Sequence, residues 1–239
     1  MNGINWDNVF DKIWCIHFVP YKERFNAINN ELSRVGIVGS SCFEWHYTIS
    51  NYWNKFLVRY LFQNKLAWAL KETALYCPLE HYQIIKKSYE FGYKRILIIE
   101  DDIRFLKDLE KVKETIENIP ENADIALFDY FIHCTDDEFQ SYKSNKVNQY
   151  FGVYDKLMST SCYMLSRTAM EKIIPLYEKF LLPSDMYTSF KAPPDLLKVF
   201  SLDHIACQYS YSISDNNTGG EKDSIDVAYQ RENLDYSNY

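Results

Sequence analysis

The segment Arg95-Ile-Leu-Ile-Ile-Glu-Asp-Asp102 constrains the fold of this 239-residue chain more than any other stretch. Its four consecutive aliphatic residues are typical of a strand that is buried on both faces, as the inner strands of parallel sheets are. Three carboxylates follow that strand directly. In open α/β sheets, ligands bind beyond the carboxyl ends of the strands. The segment therefore predicts a buried central strand with an acidic turn at the functional edge of its sheet.

Strand-like and helix-like segments alternate around this run. Further strands are predicted over 13–19, 43–49, 124–129 and 158–165, and helices over 25–35, 52–61, 65–75, 81–91, 106–119 and 166–181. The polar stretch 136–148 is interpreted as a loop, and 215–239 as an irregular or flexible tail, because it has too few aliphatic residues to join a core. The alternation favours a single α/β domain over 1–214, with a Rossmann-like, mostly parallel central sheet.

Composition and charge argue against several classes of protein. The net charge of −7 does not suit a protein that binds nucleic acid along its phosphates, so no nucleic-acid partner is expected. No stretch approaches 18 apolar residues and the first nine residues are polar, so we expect a cytoplasmic protein without a transmembrane segment. Peripheral contact with a membrane stays open. None of the six cysteines forms a CxxC pair, so no zinc site is expected.

The acidic turn allows two readings. Adjacent carboxylates repel each other and resist burial, so a divalent cation with oxygen ligands is one way to stabilise them. Glu100 and Asp102, two residues apart, can then reach a metal ion and a ribose or diphosphate. In the other reading, the turn is solvated and its acids lie near the positive end of the next helix.

Other candidate residues also have two readings each. Lys22 and Arg24 lie in the predicted loop after the first strand, where they can meet a diphosphate or simply face solvent. His81 begins a predicted helix and can contact a donor, a metal or a structural partner. His204 can complete a metal shell, although a structural role is favoured. Aromatic residues of 52–68 can line an acceptor groove, but their helical spacing favours the core.

Five stretches, taken in order, resemble glycosyltransferase family 25, the lipopolysaccharide and collagen β-galactosyltransferase group. They are Ile16-His-Phe-Val-Pro-Tyr-Lys-Glu-Arg24, Cys77-Pro-Leu-Glu-His81, Glu100-Asp-Asp102, Thr160-Ser-Cys-Tyr-Met-Leu-Ser-Arg167 and Pro183-Ser-Asp185. The resemblance spans about residues 13 to 215. It departs from the family at His17, where the family has Asn, at Tyr76, where it has Gly, and at Glu80, where it has Ser.

This resemblance implies a metal-dependent glycosyltransferase of the GT-A type. Its donor would be a UDP-sugar carrying galactose or glucose, and its acceptor a hydroxyl of a glycan, a lipopolysaccharide-like molecule or a protein. Asp102 and Glu100 would bind Mn²⁺ or Mg²⁺. The donor would contact a set of residues along the chain: Lys22, Arg24, His81, Glu100 and Asp101.

Asp185 is the expected general base of an inverting transfer. The acceptor hydroxyl attacks from the face opposite the diphosphate, so its proton must go to a group that is separate from the metal-binding acids. The alternative is that Ser184 or Asp185 only caps a short helix. If Asp185 is not the base, Asp129 or Asp155 is the next candidate. A catalytically degenerate, glycosyltransferase-like binding protein is the alternative for the whole chain.

Overall fold

The computed structural model describes residues 3–19, 22–48, 72–132, 134–179 and 184–208. The helices are α1 (Trp6–Val9), α2 (Lys22–Arg34), α3 (Glu72–Glu90), α4 (Leu109–Glu117), α5 (Asp136–Ser144), α6 (Arg167–Lys179) and α7 (Asp185–Thr188). The strands are β1 (Lys12–Phe18), β2 (Phe43–Thr48), β3 (Arg95–Glu100), β4 (Ile103–Phe105), β5 (Ile125–Leu127), β6 (Phe131–Ile132), β7 (Phe151–Val153), β8 (Leu157–Met158), β9 (Cys162–Ser166), β10 (Lys198–Ser201) and β11 (Ala206–Gln208).

Within these residues, a seven-stranded sheet has the order β2-β1-β3-β9-β5-β10-β7. β1 pairs in parallel with β2 and β3, and β10 pairs in parallel with β5. β9 runs antiparallel to both β3 and β5, and β7 runs antiparallel to β10. Five of these seven strands therefore share one direction, which confirms the predicted mostly parallel sheet. Two short pairs, β4 with β11 and β6 with β8, lie outside it.

The aliphatic run of β3 lies at the centre of the molecule because both faces of the sheet are covered. Leu97 and Ile99 belong to one hydrophobic core, and Ile96 and Ile98 to the other. This alternation follows from the two-residue repeat of a strand. Helices α2 and α4 contribute buried side chains to the first core, and α3 and α6 to the second. The layers are therefore helix, sheet and helix, and all four aliphatic side chains of β3 are fully buried.

Some predicted elements differ from the observed ones. The polar stretch after Thr135 is helix α5 rather than a loop, because Thr135 and Glu138 form a reciprocal capping box. Helix α3 begins at Glu72 instead of 81, and Pro78 lies inside it without ending it. The strand predicted over 158–165 is divided into β8 and β9. At the start of α6, the Ser166 hydroxyl accepts from the amide of Ala169, so Ser166 caps this helix.

Several predictions fall outside the described residues. These are the helix over 52–61, most of the helix over 65–75, the aromatic residues Tyr52, Trp53, Phe56, Tyr60, Phe62 and Trp68, and the tail 215–239. The division of the chain at residue 214 therefore stays a prediction. Every helix in the described ranges is too short or too polar to span a bilayer.

The close approach of β7 to β10 gives a test of the packing. A Cβ atom added to Gly152 would lie 2.7 Å from a ring carbon of Phe200 and 2.7 Å from the carbonyl oxygen of Tyr142. We predict that Gly152→Ala lowers the free energy of unfolding by about 1–3 kcal/mol, because well-packed cores do not accept an added methyl group without strain. Urea unfolding measures this change. Gly3→Ala is the control, since a Cβ there meets nothing within 4 Å, and equal stability of the two variants would contradict the prediction.

Candidate active site

Polar side chains collect at one edge of the central sheet. His17 lies near the carboxyl end of β1, Glu100 ends β3, and Asp129 follows β5 by two residues. Since β9 runs antiparallel, the residues that precede it, including Thr160, reach the same edge. The amide of Glu100 donates to the carbonyl of Ser161 at 2.7 Å, which joins these two segments directly. This edge is where the acidic turn was predicted to lie.

Asp101 is the innermost acid of the turn and is only 4% exposed. Its Oδ2 lies 2.7 Å from Nδ1 of His17, and its Oδ1 accepts from the guanidinium of Arg24. Both oxygens therefore have partners from other elements, β1 and α2. These contacts connect the turn to its neighbours, and the donor contact expected for Asp101 stays a prediction.

Asp102 has a different environment. Its Oδ2 accepts from the side-chain amide of Gln208 at 2.9 Å and lies 3.2 Å from the Arg24 guanidinium. Its Oδ1 is buried and has no hydrogen-bond partner among the described residues. Burial raises the pKa of this carboxyl to about 7, and the nearby charge of Glu100 adds to the effect. Asp102 thus has one oxygen that contacts Gln208 and Arg24, and one buried oxygen without a hydrogen-bond partner among the described residues.

Glu100 faces a cluster of side chains from α3 and from the segment before β9. Its Oε1 lies 3.1 Å from Nε2 of His81 and 3.9 Å from Sγ of Cys77, and it accepts from the Thr160 hydroxyl at 3.3 Å. His81 is fully buried, and its Nδ1 lies 2.8 Å from the hydroxyl of Tyr163. The prediction that His81 begins a helix is wrong, because α3 starts nine residues earlier. That extension places Cys77 one turn before His81.

The two cations of the first motif, Lys22 and Arg24, were predicted to lie in a loop. They are instead part of helix α2. Lys22 is the first residue of α2 and is exposed. Arg24 is partly buried and contacts the carboxylates of Asp101 and Asp102. The structure therefore brings Arg24 to the acidic turn, where two carboxylates already neutralise much of its charge.

Asp185 is the first residue of the short helix α7. Ser184, at the N-cap position, has helical dihedral angles and makes no side-chain capping hydrogen bond, so the capping alternative does not hold for Ser184. Its hydroxyl instead lies 3.7 Å from Sγ of Cys77. Burial raises the pKa of the Cys77 thiol well above its usual value, and the charges of Glu100, Asp185 and Asp102 raise it further. Acids of two separate motifs, Glu100 with Asp102 and Asp185, are therefore close enough to this thiol to raise its pKa.

Asp129 is 1% exposed and accepts from the hydroxyls of Ser161 and, at 3.5 Å, Ser159. Burial raises its pKa to about 6 although the Ser161 hydrogen bond opposes the shift. Asp155, the other alternative base, has a side chain that is 73% exposed and is paired with Lys198 at 2.8 Å. Of these two, Asp129 is the one at the sheet edge.

His204 stacks on Tyr130, with ring centroids 3.7 Å apart. Burial lowers its pKa to about 3, and the charge of Lys143 lowers it further. Within the described part of the chain, the group of three or more side chains close enough together to share a metal ion consists of Cys77, His81 and Glu100. His204 is not among them.

Sequence reasoning missed two partners of the acids. Gln208 reaches Asp102 because β11 pairs with β4, and Gln208 lies opposite Ile103 in that register. No motif in the sequence indicates this pairing. Cys77 was noted only as a motif residue, although its spacing of four from His81 would place both on one face of a helix. A correct start for α3 would have revealed this.

The profile of glycosyltransferase family 25 (LPS biosynthesis protein) matches residues 22–188, which is well over half of the chain. The chain belongs to this glycosyltransferase family. No curated protein has a sequence that matches it significantly.

Some solved structures of transferases are distantly similar to this chain. One is a glycosyltransferase involved in the glycosylation of the major capsid of PBCV-1, with 12% identity, coverage of 82% of this chain and 92% of that one, and a TM-score of 0.47. Mouse xyloside xylosyltransferase 1 has 11% identity, coverage of 78% and 83%, and a TM-score of 0.38. The glycosyltransferase GlyE of Streptococcus pneumoniae TIGR4 has 13% identity, coverage of 99% and 62%, and a TM-score of 0.41.

Two departures from the motifs of family 25 have partners within the fold. His17 takes the place of the family's Asn and pairs with Asp101. Glu80 takes the place of the family's Ser, is 9% exposed, and pairs with Nε2 of His46 on β2. Each replacement is therefore a polar group that is paired with a side chain from another element, the acidic turn for His17 and β2 for Glu80.

The buried Asp129 gives a prediction of pH dependence. Its folded pKa of about 6 exceeds the ordinary value of 3.8, so the folded state keeps the proton to higher pH than the unfolded state does. The contribution of Asp129 to stability is then greatest below pH 3.8 and falls as the pH rises to about 6. Asp129→Asn lacks this titration. We predict that the free energy of unfolding of Asp129→Asn, minus that of the wild type, increases by about 2 kcal/mol when the pH is raised from about 4 to about 7.5.

Urea unfolding at both pH values measures this difference. Ser161→Ala should change in the opposite direction. The Ser161 hydroxyl donates to Asp129 and so stabilises its ionised form, and the loss of this hydroxyl should therefore destabilise the protein more at the higher pH. A difference between Asp129→Asn and the wild type that does not change with pH would contradict the prediction.

Proposed function

We propose that this family 25 member transfers a hexose, galactose or glucose, from a UDP-sugar to a hydroxyl of a glycan, a lipopolysaccharide-like molecule or a protein, with inversion at the anomeric carbon. The observation that supports the proposal best is that the thiol of Cys77 brings Glu100 and Asp185 near each other: Oε1 of Glu100 lies 3.9 Å from Sγ, and the hydroxyl of Ser184, the residue before Asp185, lies 3.7 Å from it. These acids come from two motifs that are about 80 residues apart in the sequence. Transfer of this kind needs acids for the metal and diphosphate together with a separate base.

The residues of the acidic turn fit a hard divalent cation. Asp102 Oδ1 is a buried oxygen without a hydrogen-bond partner among the described residues, and Glu100 is close enough to raise the pKa of Asp102. Oxygen ligands of this kind suit Mn²⁺ or Mg²⁺. Such an ion, held by Asp102 with Glu100, would supply neutralisation of the leaving diphosphate. Arg24 would orient Asp102, and Asp101 would hold Arg24.

Asp185 would take the proton of the acceptor hydroxyl. It begins α7, and it lies close enough to the buried Tyr177 and to Cys77 to affect the pKa of each. Its neighbour Ser184 contacts the thiol of Cys77, which connects α7 to α3. A carboxylate on a separate element suits the base of an in-line displacement, because its position does not depend on the acids that face the diphosphate.

The role of Asp102 predicts metal-dependent binding and turnover of the donor. Asp102→Asn should abolish the Mn²⁺-dependent thermal stabilisation by UDP and should lower the hydrolysis of UDP-galactose or UDP-glucose by at least about 100-fold. The fold should stay intact, because Asn keeps the size of the side chain and removes a charge whose burial is unfavourable. Excess EDTA should have the same effect on the wild type.

The matched control is Asp203→Asn, at a carboxylate with a 65% exposed side chain paired with Lys111. It should behave as the wild type does in both assays. Full turnover of the donor in EDTA would reject the metal-dependent mechanism. The absence of both binding and hydrolysis in the wild type, for any UDP-sugar tested with Mn²⁺, would instead favour the non-catalytic alternative.

The role of Asp185 predicts a loss of turnover without a loss of binding. Asp185→Asn keeps an acceptor oxygen but cannot take a proton. It should leave the UDP- and Mn²⁺-dependent thermal shift unchanged and cut the hydrolysis of the UDP-sugar by about 100-fold or more. Asp195→Asn is the control, at a 67% exposed side chain paired with Lys172. Wild-type turnover in Asp185→Asn would exclude Asp185 as the base and make Asp129 the next residue to test.

A further inference from the structure

The cluster of Cys77, His81 and Glu100 contains two residues, Cys77 and His81, that the proposed transfer reaction does not use, and it shares Glu100 with that reaction. One ligand atom from each residue, a sulfur, a nitrogen and an oxygen, lies within 4.8 Å of the other two. Mn²⁺ and Mg²⁺ prefer oxygen ligands, whereas a mixed set of thiolate, imidazole and carboxylate is typical of zinc and chemically similar ions. The cluster therefore differs in chemistry from the oxygen of Asp102.

The distances within the cluster suit a single ion. Nε2 of His81 lies 3.1 Å from Oε1 of Glu100, and Sγ of Cys77 lies 3.9 Å from the same oxygen. With bonds of about 2.0–2.3 Å to each ligand, a tetrahedral ion needs its ligand atoms roughly 3–4 Å apart. Small side-chain adjustments would bring the three atoms to one centre.

The surroundings support the site in two further ways. Nδ1 of His81 lies 2.8 Å from the hydroxyl of Tyr163, so a second residue fixes the ring and leaves Nε2 facing Glu100. Outer partners of this kind orient metal-binding histidines. Cys77 and His81 are also held at fixed spacing, one turn apart on α3. Glu100 ends β3, so an ion would join helix to sheet.

We propose that Cys77, His81 and Glu100 bind a zinc-class ion. Three protein ligands leave a fourth position open, as in zinc sites that also bind water or a substrate atom. The expectation from the sequence, that the absence of a CxxC pair disfavours zinc, considered only pairs of cysteines. The inference does not depend on the proposed transfer reaction, because it concerns metal binding in the absence of any nucleotide sugar.

The test uses Zn²⁺ and Co²⁺ as the probes. The full chain, stripped with a chelator and kept reduced, is titrated with Zn²⁺ in competition with a chromophoric chelator, and separately with Co²⁺. The wild type should bind one zinc ion, and its Co²⁺ form should show a thiolate-to-cobalt charge-transfer band. Cys77→Ser should lose that band and bind zinc at least about 10-fold more weakly.

Two further variants keep the test decisive. Cys134→Ser is the matched control, since this partly buried cysteine lies outside the cluster, and it should keep both the affinity and the band. His81→Gln should weaken zinc binding as Cys77→Ser does, with its folding checked by thermal melting. The proposal would be overturned if the wild type bound zinc no more tightly than Cys77→Ser does. It would also be overturned if the Co²⁺ form of the wild type lacked the charge-transfer band. Neither result would decide whether UDP-sugars are turned over with Mn²⁺, because every variant in this test keeps Glu100 and Asp102.

Discussion

The contacts of Asp101 with His17 and Arg24 are the constraint on which the rest of the sheet edge depends. Three adjacent carboxylates follow a strand whose aliphatic side chains are all buried, and Asp101 itself is almost fully buried. An isolated buried carboxylate is strongly destabilising, so the turn requires partners on both oxygens of this residue. The partners come from β1 and α2, which places the first β-α unit against the acidic turn. Asp101 thus fixes the turn, and Glu100 and Asp102 project in different environments on either side of it.

The aliphatic run before Glu100 could be interpreted from sequence because its pattern is local. Four consecutive aliphatic residues, three of them the β-branched isoleucine, favour a short strand covered on both faces, and the observed strand begins and ends where the pattern does. Helix α5 was missed for a different reason. Its sequence is polar, so it lacks a strong apolar repeat, and the signal for its start is the spacing of Thr135 and Glu138 alone.

The contacts of the site were less predictable because they are made between distant segments. The sequence places three acids side by side, but it does not say that Asp101 pairs with cations, that Asp102 meets Gln208, or that Glu100 faces Cys77 and His81. In sequence, His17 lies 84 residues from Asp101, and Gln208 lies 106 residues from Asp102. Cys77 and His81 lie 23 and 19 residues from Glu100. Residues of one type in one motif thus acquire different environments, and only the pairing of strands and helices determines which acid is neutralised and which is not.

The distribution of charge at this edge also bears on how a diphosphate would be stabilised. The sequence suggested that Lys22 and Arg24 would contact it, as loop cations often do. Arg24, however, already contacts two carboxylates, and Lys22 is exposed at the start of α2. In a chain with a net charge of −7, an arginine that is already paired with two carboxylates, as Arg24 is, offers a dianionic group little net attraction. A bound divalent ion would bring new positive charge to the place where Asp102 has an uncompensated oxygen, and it would relieve the repulsion between Asp102 and Glu100 at the same time. The same arrangement that makes the acids unfavourable in isolation therefore makes them suitable ligands, and this is the physical reason to expect the donor and the ion to bind together.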